Sequence, residues 1–114
     1  MENRKFSRLT LSNNRSQLRL EQIPNKATNI SVKDISLNGL RFISNLNLPT
    51  NSNFKYHIDF SFNGPEFALK GNIVWQKQTH NGFEYGFQID TFPIEYYHAL
   101  ENYLYESQPL AMSN

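Results

Sequence analysis

The sequence predicts an all-β domain, a small six-stranded antiparallel β-barrel with a C-terminal α-helix. Long stretches alternate apolar and polar residues, which is the pattern of strands with one buried face. Turn-forming residues interrupt these stretches at short, regular intervals, as in small barrels and sandwiches. The chain has 114 residues, of which nine are Phe, six Tyr and one Trp. This is enough for one domain with one core.

Six strands can be placed along the chain, three weaker ones followed by three stronger ones. Asn63-Gly64-Pro65 and Thr79-His80-Asn81-Gly82 separate the stronger strands and are good hairpin turns. In residues 67–76 the alternation places Trp75 in the apolar set, so Trp75 is predicted to pack in the core rather than to act as a base-stacking platform. The apolar positions that mark the six strands are Leu18 and Leu20, Ile30 and Val32, Leu40 and Phe42, Phe54 to Phe62, Phe67 to Trp75, and Phe83 to Ile89.

The last element is predicted to be a helix. Pro93 is a plausible helix start, and Ile94, Tyr97, Leu100 and Leu104 follow a helical spacing. Such a helix can pack its apolar stripe over an open end or side of the barrel. The domain organisation expected from these elements is a flexible basic arm over residues 1–12, the barrel and helix over residues 13–107, and a disordered tail over residues 108–114.

Charge is distributed unevenly along the chain. Residues 1–19 hold five basic residues against Glu2, a net charge of +4, whereas residues 20–114 hold six basic and nine acidic residues, a net charge of −3. This asymmetry favours an N-terminal arm that binds something anionic. The acidic body argues against a duplex-DNA binder, so a small anion is the better fit.

Several functions are not expected from this sequence. Cysteine is absent, which excludes disulfides and thiolate chemistry. His57, His80 and His98 lack the spacing of a metal site, and none of the common catalytic motifs occurs, so neither metal binding nor catalysis is expected. No apolar run approaches the length of a membrane span and no signal peptide is apparent, so the cytoplasm is the expected location.

Two short clusters carry the chemistry. Residues 4–8 read Arg-Lys-Phe-Ser-Arg, and residues 34–39 read Asp-Ile-Ser-Leu-Asn-Gly. Arg is well suited to grip phosphate bidentately and to stack on a planar base. Asp and Ser can pair with the edge of a purine, and Gly lets the backbone approach a ligand closely. Together the clusters indicate a site for a small anionic purine nucleotide.

The two clusters, RxxxR followed by DxSxxG, resemble the signature of PilZ domains, the bacterial receptors for cyclic di-GMP. Residues 3–9 are similar to the opening stretch of that family, and residues 34–39 match its second motif. Further on, Gly71-Asn72-Ile73-Val74-Trp75 and Tyr85-Gly86-Phe87 resemble its later hairpin, and a terminal helix also fits. The resemblance covers nearly the whole chain.

The resemblance implies a stand-alone, non-enzymatic receptor that binds cyclic di-GMP and converts this binding into a change of shape or partner, in motility, biofilm or related regulation. Arg4 and Arg8 would clamp phosphates and stack on guanine. Asp34 and Ser36 would bind guanine edge atoms, and Gly39 would keep the surface clear. Lys5 and Asn38 are secondary candidates. A mobile arm that the ligand pins to the barrel is the expected switch.

A second RxxxR run, Arg15 to Arg19, competes with the first. The gap from Arg8 to Asp34 leaves room for a complete first strand, and Arg19 is expected on the solvent face of that strand. The site is therefore assigned to Arg4 and Arg8.

Three other interpretations remain open. The residues of the second motif are also common turn formers, and a basic terminus can simply aid solubility. Alternatively, the chain is a PilZ-like adaptor that binds proteins in motility or pilus assembly without nucleotide, or a small-barrel binder of single-stranded nucleic acid. The downstream protein partner and the number of ligands bound do not follow from the sequence.

Overall fold

A computed structural model of the chain describes residues 9–11, 14, 16–61 and 66–107. Within them, seven strands precede one helix. The elements are β1 (Leu9–Thr10), β2 (Ser16–Leu20), β3 (Ala27–Ile35), β4 (Gly39–Ser44), β5 (Tyr56–Ser61), β6 (Glu66–Thr79), β7 (Gly82–Thr91) and α1 (Ile94–Ser107).

Six of the strands close into a barrel. The order β3-β2-β5-β6-β7-β4 is completed by pairing of β4 with β3, and every pairing is antiparallel. The predicted six-stranded antiparallel barrel with a C-terminal helix is therefore confirmed. The additional strand β1 falls within the segment predicted as a basic arm, and it pairs with the end of β3 through Leu9–Ile35 and Thr10–Asp34.

The alternation in the sequence fills the barrel interior. Side chains such as Phe42, Ile58 and Leu69 are fully buried, and burial of this kind is the main force that stabilises the domain. The phenols of two buried tyrosines hold the β4–β5 connection: Tyr85 accepts from the Leu48 amide at 2.8 Å, and Tyr56 donates to the Pro49 carbonyl at 2.7 Å. Burial raises the pKa of Tyr56 to about 12.

Trp75 was predicted to lie in the core, and this prediction is wrong. Ile73 pairs with Phe87, but the next pair is Trp75 with Gly86, so Val74 is an extra residue in β6. This β-bulge reverses the alternation. Trp75 therefore faces outward and is 42% exposed.

Helix α1 begins directly after Pro93, as predicted. Its Tyr96 and Leu100 are buried, and the Tyr96 ring packs 5.6 Å from the ring of Phe67 and 5.6 Å from that of Phe92. Among the described residues, no helix is both long and apolar enough to cross a membrane.

The second of the two predicted hairpin turns is confirmed, at residues 80–81, whereas residues 63–65 lie outside the described residues. Gly82 follows the confirmed turn with a φ of 151°. A side chain is strained at this angle, which is why glycine is needed here.

Substitution Gly71→Ala should destabilise the barrel. A Cβ at this position would lie 1.9 Å from the carbonyl oxygen of Gln88 and 3.1 Å from the Cα of Ile89, so backbone would have to move. Gly86→Ala is the matched control, because its Cβ would meet the Trp75 side chain, which can move. We expect Gly71→Ala to lower the free energy of unfolding, measured in urea, by about 1–3 kcal/mol or more. Gly86→Ala should lower it clearly less. Equal losses would contradict this account of β6–β7 packing.

Candidate ligand-binding site

A row of four paired residues crosses the outside of the barrel. Asp34 on β3 pairs with Arg41 on β4, Arg41 pairs with Gly86 on β7, and Gly86 pairs with Trp75 on β6. Residues paired in this way face the same side of a sheet. The row therefore places a carboxylate, a guanidinium, a gap without a side chain, and an indole next to one another.

A second β-bulge turns Asp34 outward. Val32 pairs with Phe42 and Asp34 with Arg41, which leaves Lys33 as the extra residue in β3. Without this bulge Asp34 would share the inward side with Val32, where an ionised carboxylate is costly. With it, the inward position passes to Ile35, which is fully buried.

The guanidinium of Arg41 joins two carboxylates. Its Nε and Nη2 lie 2.9 and 2.8 Å from Oδ2 of Asp34, and its Nη1 donates to Glu84. These hydrogen bonds, to Glu84 first and to Asp34 second, raise the pKa of Arg41. Only 10% of the Asp34 side chain and 15% of the Glu84 side chain are exposed, so Arg41 offsets charge that is poorly hydrated.

The turn that joins β3 to β4 is closed by its own polar groups. The Ser36 amide donates to the Gly39 carbonyl at 2.8 Å, and the Ser36 hydroxyl lies 3.0 Å from Oδ1 of Asn38 and 3.2 Å from the same carbonyl. Ser36 is fully buried. Gly39 is held close to β7, because a Cβ there would lie 2.8 Å from the Phe87 carbonyl oxygen. These contacts give both residues a structural role in the turn.

A surface groove of about 390 Å³ runs beside this turn. Arg41 is the charged side chain among its lining residues, and the side chains of Asn38 and Gln88 add carboxamides. Gly39 and Gly86 form part of its floor, and Trp75 lies on the side away from the turn. The groove can therefore accept a ligand that has a flat face and polar edges.

The second predicted motif is thus assembled on one side of the barrel. Asp34, Ser36, Asn38 and Gly39 lie together around the β3–β4 turn. Their contacts with a ligand stay predictions. Arg4, Lys5 and Arg8 lie outside the described residues, as does Arg15.

The first described residues, which form β1, lie next to the second motif. Leu9, which follows Arg8 in the sequence, pairs with Ile35, and Thr10 pairs with Asp34. The amide of Leu11 donates to the Lys33 carbonyl at 2.8 Å, so the β3 bulge also receives a hydrogen bond from this segment. Arg19, from the competing RxxxR run, faces outward on β2, 3.8 Å from Asp59. The attachment point of the basic arm therefore lies beside the second motif.

Arg41, Glu84 and Trp75 were not predicted as site residues. The only sequence signal for Arg41 is its place shortly after the turn, which allows it to pair with Asp34. Glu84 and Trp75 reach the site through the β4–β7 and β6–β7 registers, which composition and spacing do not reveal. Within residues 16–61 and 66–102, no group of three His, Asp or Glu side chains is arranged to hold a metal ion.

The family model of the PilZ domain matches residues 2–106. The chain belongs to the PilZ domain family. Its fold is also similar to the solved structure of the Bacillus subtilis inhibitor of motility MotI/DgrA, with a TM-score of 0.76 and 12% sequence identity. The match covers 100% of this chain and 55% of that chain, so this PilZ protein spans about half the length of its structural neighbour. Comparison with curated proteins gives no significant match.

Substitution Arg41→Ala should destabilise the protein, because it leaves Asp34 and Glu84 as two poorly hydrated carboxylates without their shared cation. We expect a loss of about 1–3 kcal/mol in the free energy of unfolding, measured in urea at neutral pH. Arg19→Ala is the control. Its ion pair with Asp59 is longer, at 3.8 Å, and the Asp59 side chain is 35% exposed, so the substitution should cost at most about 1 kcal/mol.

Adding Glu84→Gln to the Arg41→Ala variant should recover part of the loss, since one of the two like charges is then removed. If Arg41→Ala costs no more than Arg19→Ala, the carboxylates do not need Arg41.

Proposed function

We propose that this PilZ domain is a cyclic di-GMP receptor without enzymatic activity, which converts ligand binding into a change of conformation or protein partner. Arg4 and Arg8 grip the phosphates and stack on guanine. Asp34 binds guanine edge atoms, and Ser36 does so once ligand binding releases its hydroxyl from Asn38 and the Gly39 carbonyl. Gly39 keeps the surface open, and Lys5 and Asn38 are secondary contacts.

The pairing of β1 with β3 is the observation that carries this proposal. Leu9 lies beside Ile35, one residue from Ser36, so the arm that contains Arg4 and Arg8 joins the barrel next to the second motif. One ligand can then contact both residues 4–8 and residues 34–39, because few residues separate the arm from the second motif in space. Family membership supports the same ligand, because the two motifs stand in the order of the PilZ signature.

The charges around the groove support a division of labour between barrel and arm. Arg41 already forms ion pairs with Asp34 and Glu84, and the net charge of these three side chains is −1. A dianionic ligand would therefore gain little from this part of the barrel alone. The arm adds three cations at residues 4, 5 and 8, and guanidinium groups bind phosphate oxygens strongly. Barrel groups then recognise the base, and the arm supplies the phosphate contacts.

The same division explains how binding becomes a signal. Before binding, an arm with several like charges repels itself and stays mobile, and the ligand orders it against the barrel. The ordered arm covers a new surface, which a partner protein can distinguish from the free form. The structural neighbour is named as an inhibitor of motility, and we propose motility or related surface behaviour as the process regulated here.

Substitution Arg8→Ala should weaken binding of cyclic di-GMP by about 10- to 150-fold, since it removes a charge-assisted contact worth about 1.5–3 kcal/mol. Isothermal titration calorimetry measures the affinity and the number of ligands bound. Arg19→Ala is the control and should bind as the unmodified chain does. If Arg19→Ala abolishes binding while Arg8→Ala does not, the RxxxR run has been assigned incorrectly.

The same titration tests the ligand class. Cyclic di-GMP should bind more tightly than cyclic di-AMP, GTP or GMP, because Asp34 and Ser36 suit a guanine edge, and its affinity should fall as salt screens the phosphate contacts. Equal or tighter binding of cyclic di-AMP would contradict the proposal. Displacement of the ligand by an oligonucleotide would favour a single-stranded nucleic-acid binder.

A chain shortened to residues 9–114 should fold but lose most of its affinity for cyclic di-GMP. It retains β1, whose Leu9 packs against the core, so its melting temperature without ligand should stay close to that of the full chain. Ligand should raise the melting temperature of the full chain, through preferential binding to the native state, and leave that of the shortened chain nearly unchanged.

Hydrogen exchange separates the switch from the binding. Amides of residues 3–8 should exchange freely without ligand and slowly with it. If they are already protected in the free protein, the arm does not become ordered on binding, even where calorimetry confirms the ligand.

A further inference from the structure

The second half of β6 extends beyond the strand beside it. Residues 66–71 of β6 pair with β5, and the last of these pairs joins Gly71 to Tyr56, the first residue of β5. From there to Thr79, β7 is the one described strand with which β6 pairs. Every residue from Val74 to Gln78 is exposed. The β6–β7 hairpin therefore ends in a two-stranded ribbon that has a free edge on the β6 side.

The register shows which backbone groups lie on this free edge. The amide of Ile89 donates to the Asn38 carbonyl at 2.9 Å, on the side of β7 that faces β4. Backbone groups of successive residues point to opposite edges of a strand, so the odd-numbered residues of β7 bond toward β4 and the even-numbered ones toward β6. Residues 82, 84 and 86 pair with residues 79, 77 and 75 of β6. The residues between these, Gln76 and Gln78, therefore turn their N–H and C=O groups away from β7.

The backbone groups of Gln76 and Gln78 are without a partner in this chain. No residue that the structure describes forms a hydrogen bond with them. The side chain of Gln76 lies on the inner face of the ribbon, where it donates to Oδ1 of Asn47 at 2.8 Å and to the phenol oxygen of Tyr85 at 3.1 Å. Unpaired N–H and C=O groups in a row are a template on which another strand can pair.

The side chains of this edge do little to prevent such pairing. Val74 is 54% exposed and Trp75 is 42% exposed. Residues 74–79 read Val-Trp-Gln-Lys-Gln-Thr, which contains neither Pro nor Gly and has Lys77 as its one charged residue. Proline and several charges are the usual means by which an edge strand is protected from pairing. The edge thus combines free backbone groups with exposed apolar side chains.

We propose that this edge pairs with the same edge of a second copy of the chain. The product is a two-fold symmetric dimer in which one sheet runs through both β6–β7 ribbons. A two-fold axis perpendicular to the ribbon brings two copies of one strand together in antiparallel orientation, so the edge is its own partner. The inference goes beyond the proposed function and does not rest on it.

The side chains select one register for this pairing. Facing residues must share a face of the sheet, so the axis passes through a residue, and an axis at Gln76 or at Lys77 gives the longest overlap of residues 74–79. An axis at Lys77 would place two ammonium groups opposite each other, which is destabilising. An axis at Gln76 instead places each Lys77 opposite Trp75 of the other copy. An ammonium beside an indole forms a favourable cation–π contact, and the symmetry supplies this contact twice.

The same register matches the backbone groups. The two Gln76 residues face each other and can exchange their free N–H and C=O groups, and Gln78 lies opposite Val74 of the other copy. Two short strand edges form a small interface beside the roughly 1,200–2,000 Å² of stable complexes. We therefore expect a dimer in equilibrium with the monomer at micromolar concentrations.

Sedimentation equilibrium of the full chain tests the dimer, over concentrations from about 5 to about 500 μM, which bracket a micromolar dissociation constant. Gln78→Pro removes an N–H that has no partner in the monomer, and proline is tolerated at such an edge position. It should weaken dimerisation about 30-fold or more, because each half of the symmetric interface loses a backbone hydrogen bond. Gln78→Ala is the matched control. It keeps the N–H and should dimerise as the unmodified chain does.

Lys77→Ala tests the register and does not depend on proline being accommodated. Loss of two cation–π contacts should weaken dimerisation about 5- to 30-fold. Trp75 is the single tryptophan of the chain, so its emission reports on the edge directly and should shift to longer wavelengths when the dimer dissociates on dilution.

Two results would overturn the inference. If the chain stays monomeric over the whole concentration range, the edge is left to an extended segment of another protein. If a dimer forms but keeps its affinity in both Gln78→Pro and Lys77→Ala, the two copies meet at another surface. Should Gln78→Pro fail to fold, as judged by its melting curve, Lys77→Ala and the Trp75 emission of the unmodified chain decide the question.

Discussion

Closure of the barrel is the constraint on which the other features depend. Once β4 pairs with β3, each of the six barrel strands has a neighbour on both sides, and every residue must face either the packed interior or the outer surface. Strict alternation would then decide which residues are available to a ligand. Two of the departures from this alternation, at Lys33 in β3 and at Val74 in β6, each move one side chain, Asp34 or Trp75, to the outside. The interior keeps its apolar lining because Ile35 takes the inward position after the first bulge.

Electrostatics impose a second constraint on the same surface. Asp34 is 7% exposed, and an ionised carboxylate with so little contact with water needs a cation close by. Arg41 provides it and is itself oriented by Glu84 on β7. A strand that closes the barrel thus also supplies the counter-charge for the motif on its neighbour. Arg41 on β4 and Glu84 on β7 together hold the Asp34 side chain in place beside the groove.

Much of the fold followed from periodicity and turn chemistry. Alternation located the six barrel strands and Pro93 located the helix, because both patterns report burial on one face of a regular element. Trp75 was misplaced because alternation was counted through an extra residue that leaves no mark in the sequence. Of the candidate site, residues 34–39 were predicted from their types and spacing, and the structure brings them together around one turn. Arg41 and Glu84 were not, since their roles come from strand register, a property of paired segments far apart in the chain. Nor does a Ser in a turn reveal that its hydroxyl will be fully buried.

One hydrogen bond links the β3–β4 turn to the C-terminal helix, 60 residues later in the chain. The phenol of Tyr96, on α1, donates to the Ser36 carbonyl at 3.0 Å, with both residues fully buried. Docking of the helix and the shape of the turn therefore share a free-energy term, and such a linkage acts equally in both directions. A contact that stabilises or weakens the packing of α1 therefore alters the conformational equilibrium of residues 34–39. A ligand that binds at residues 34–39 alters in turn the stability of α1 on the barrel. A change in the packing of the C-terminal helix and a change in the shape of the β3–β4 turn are therefore coupled through this one buried hydrogen bond.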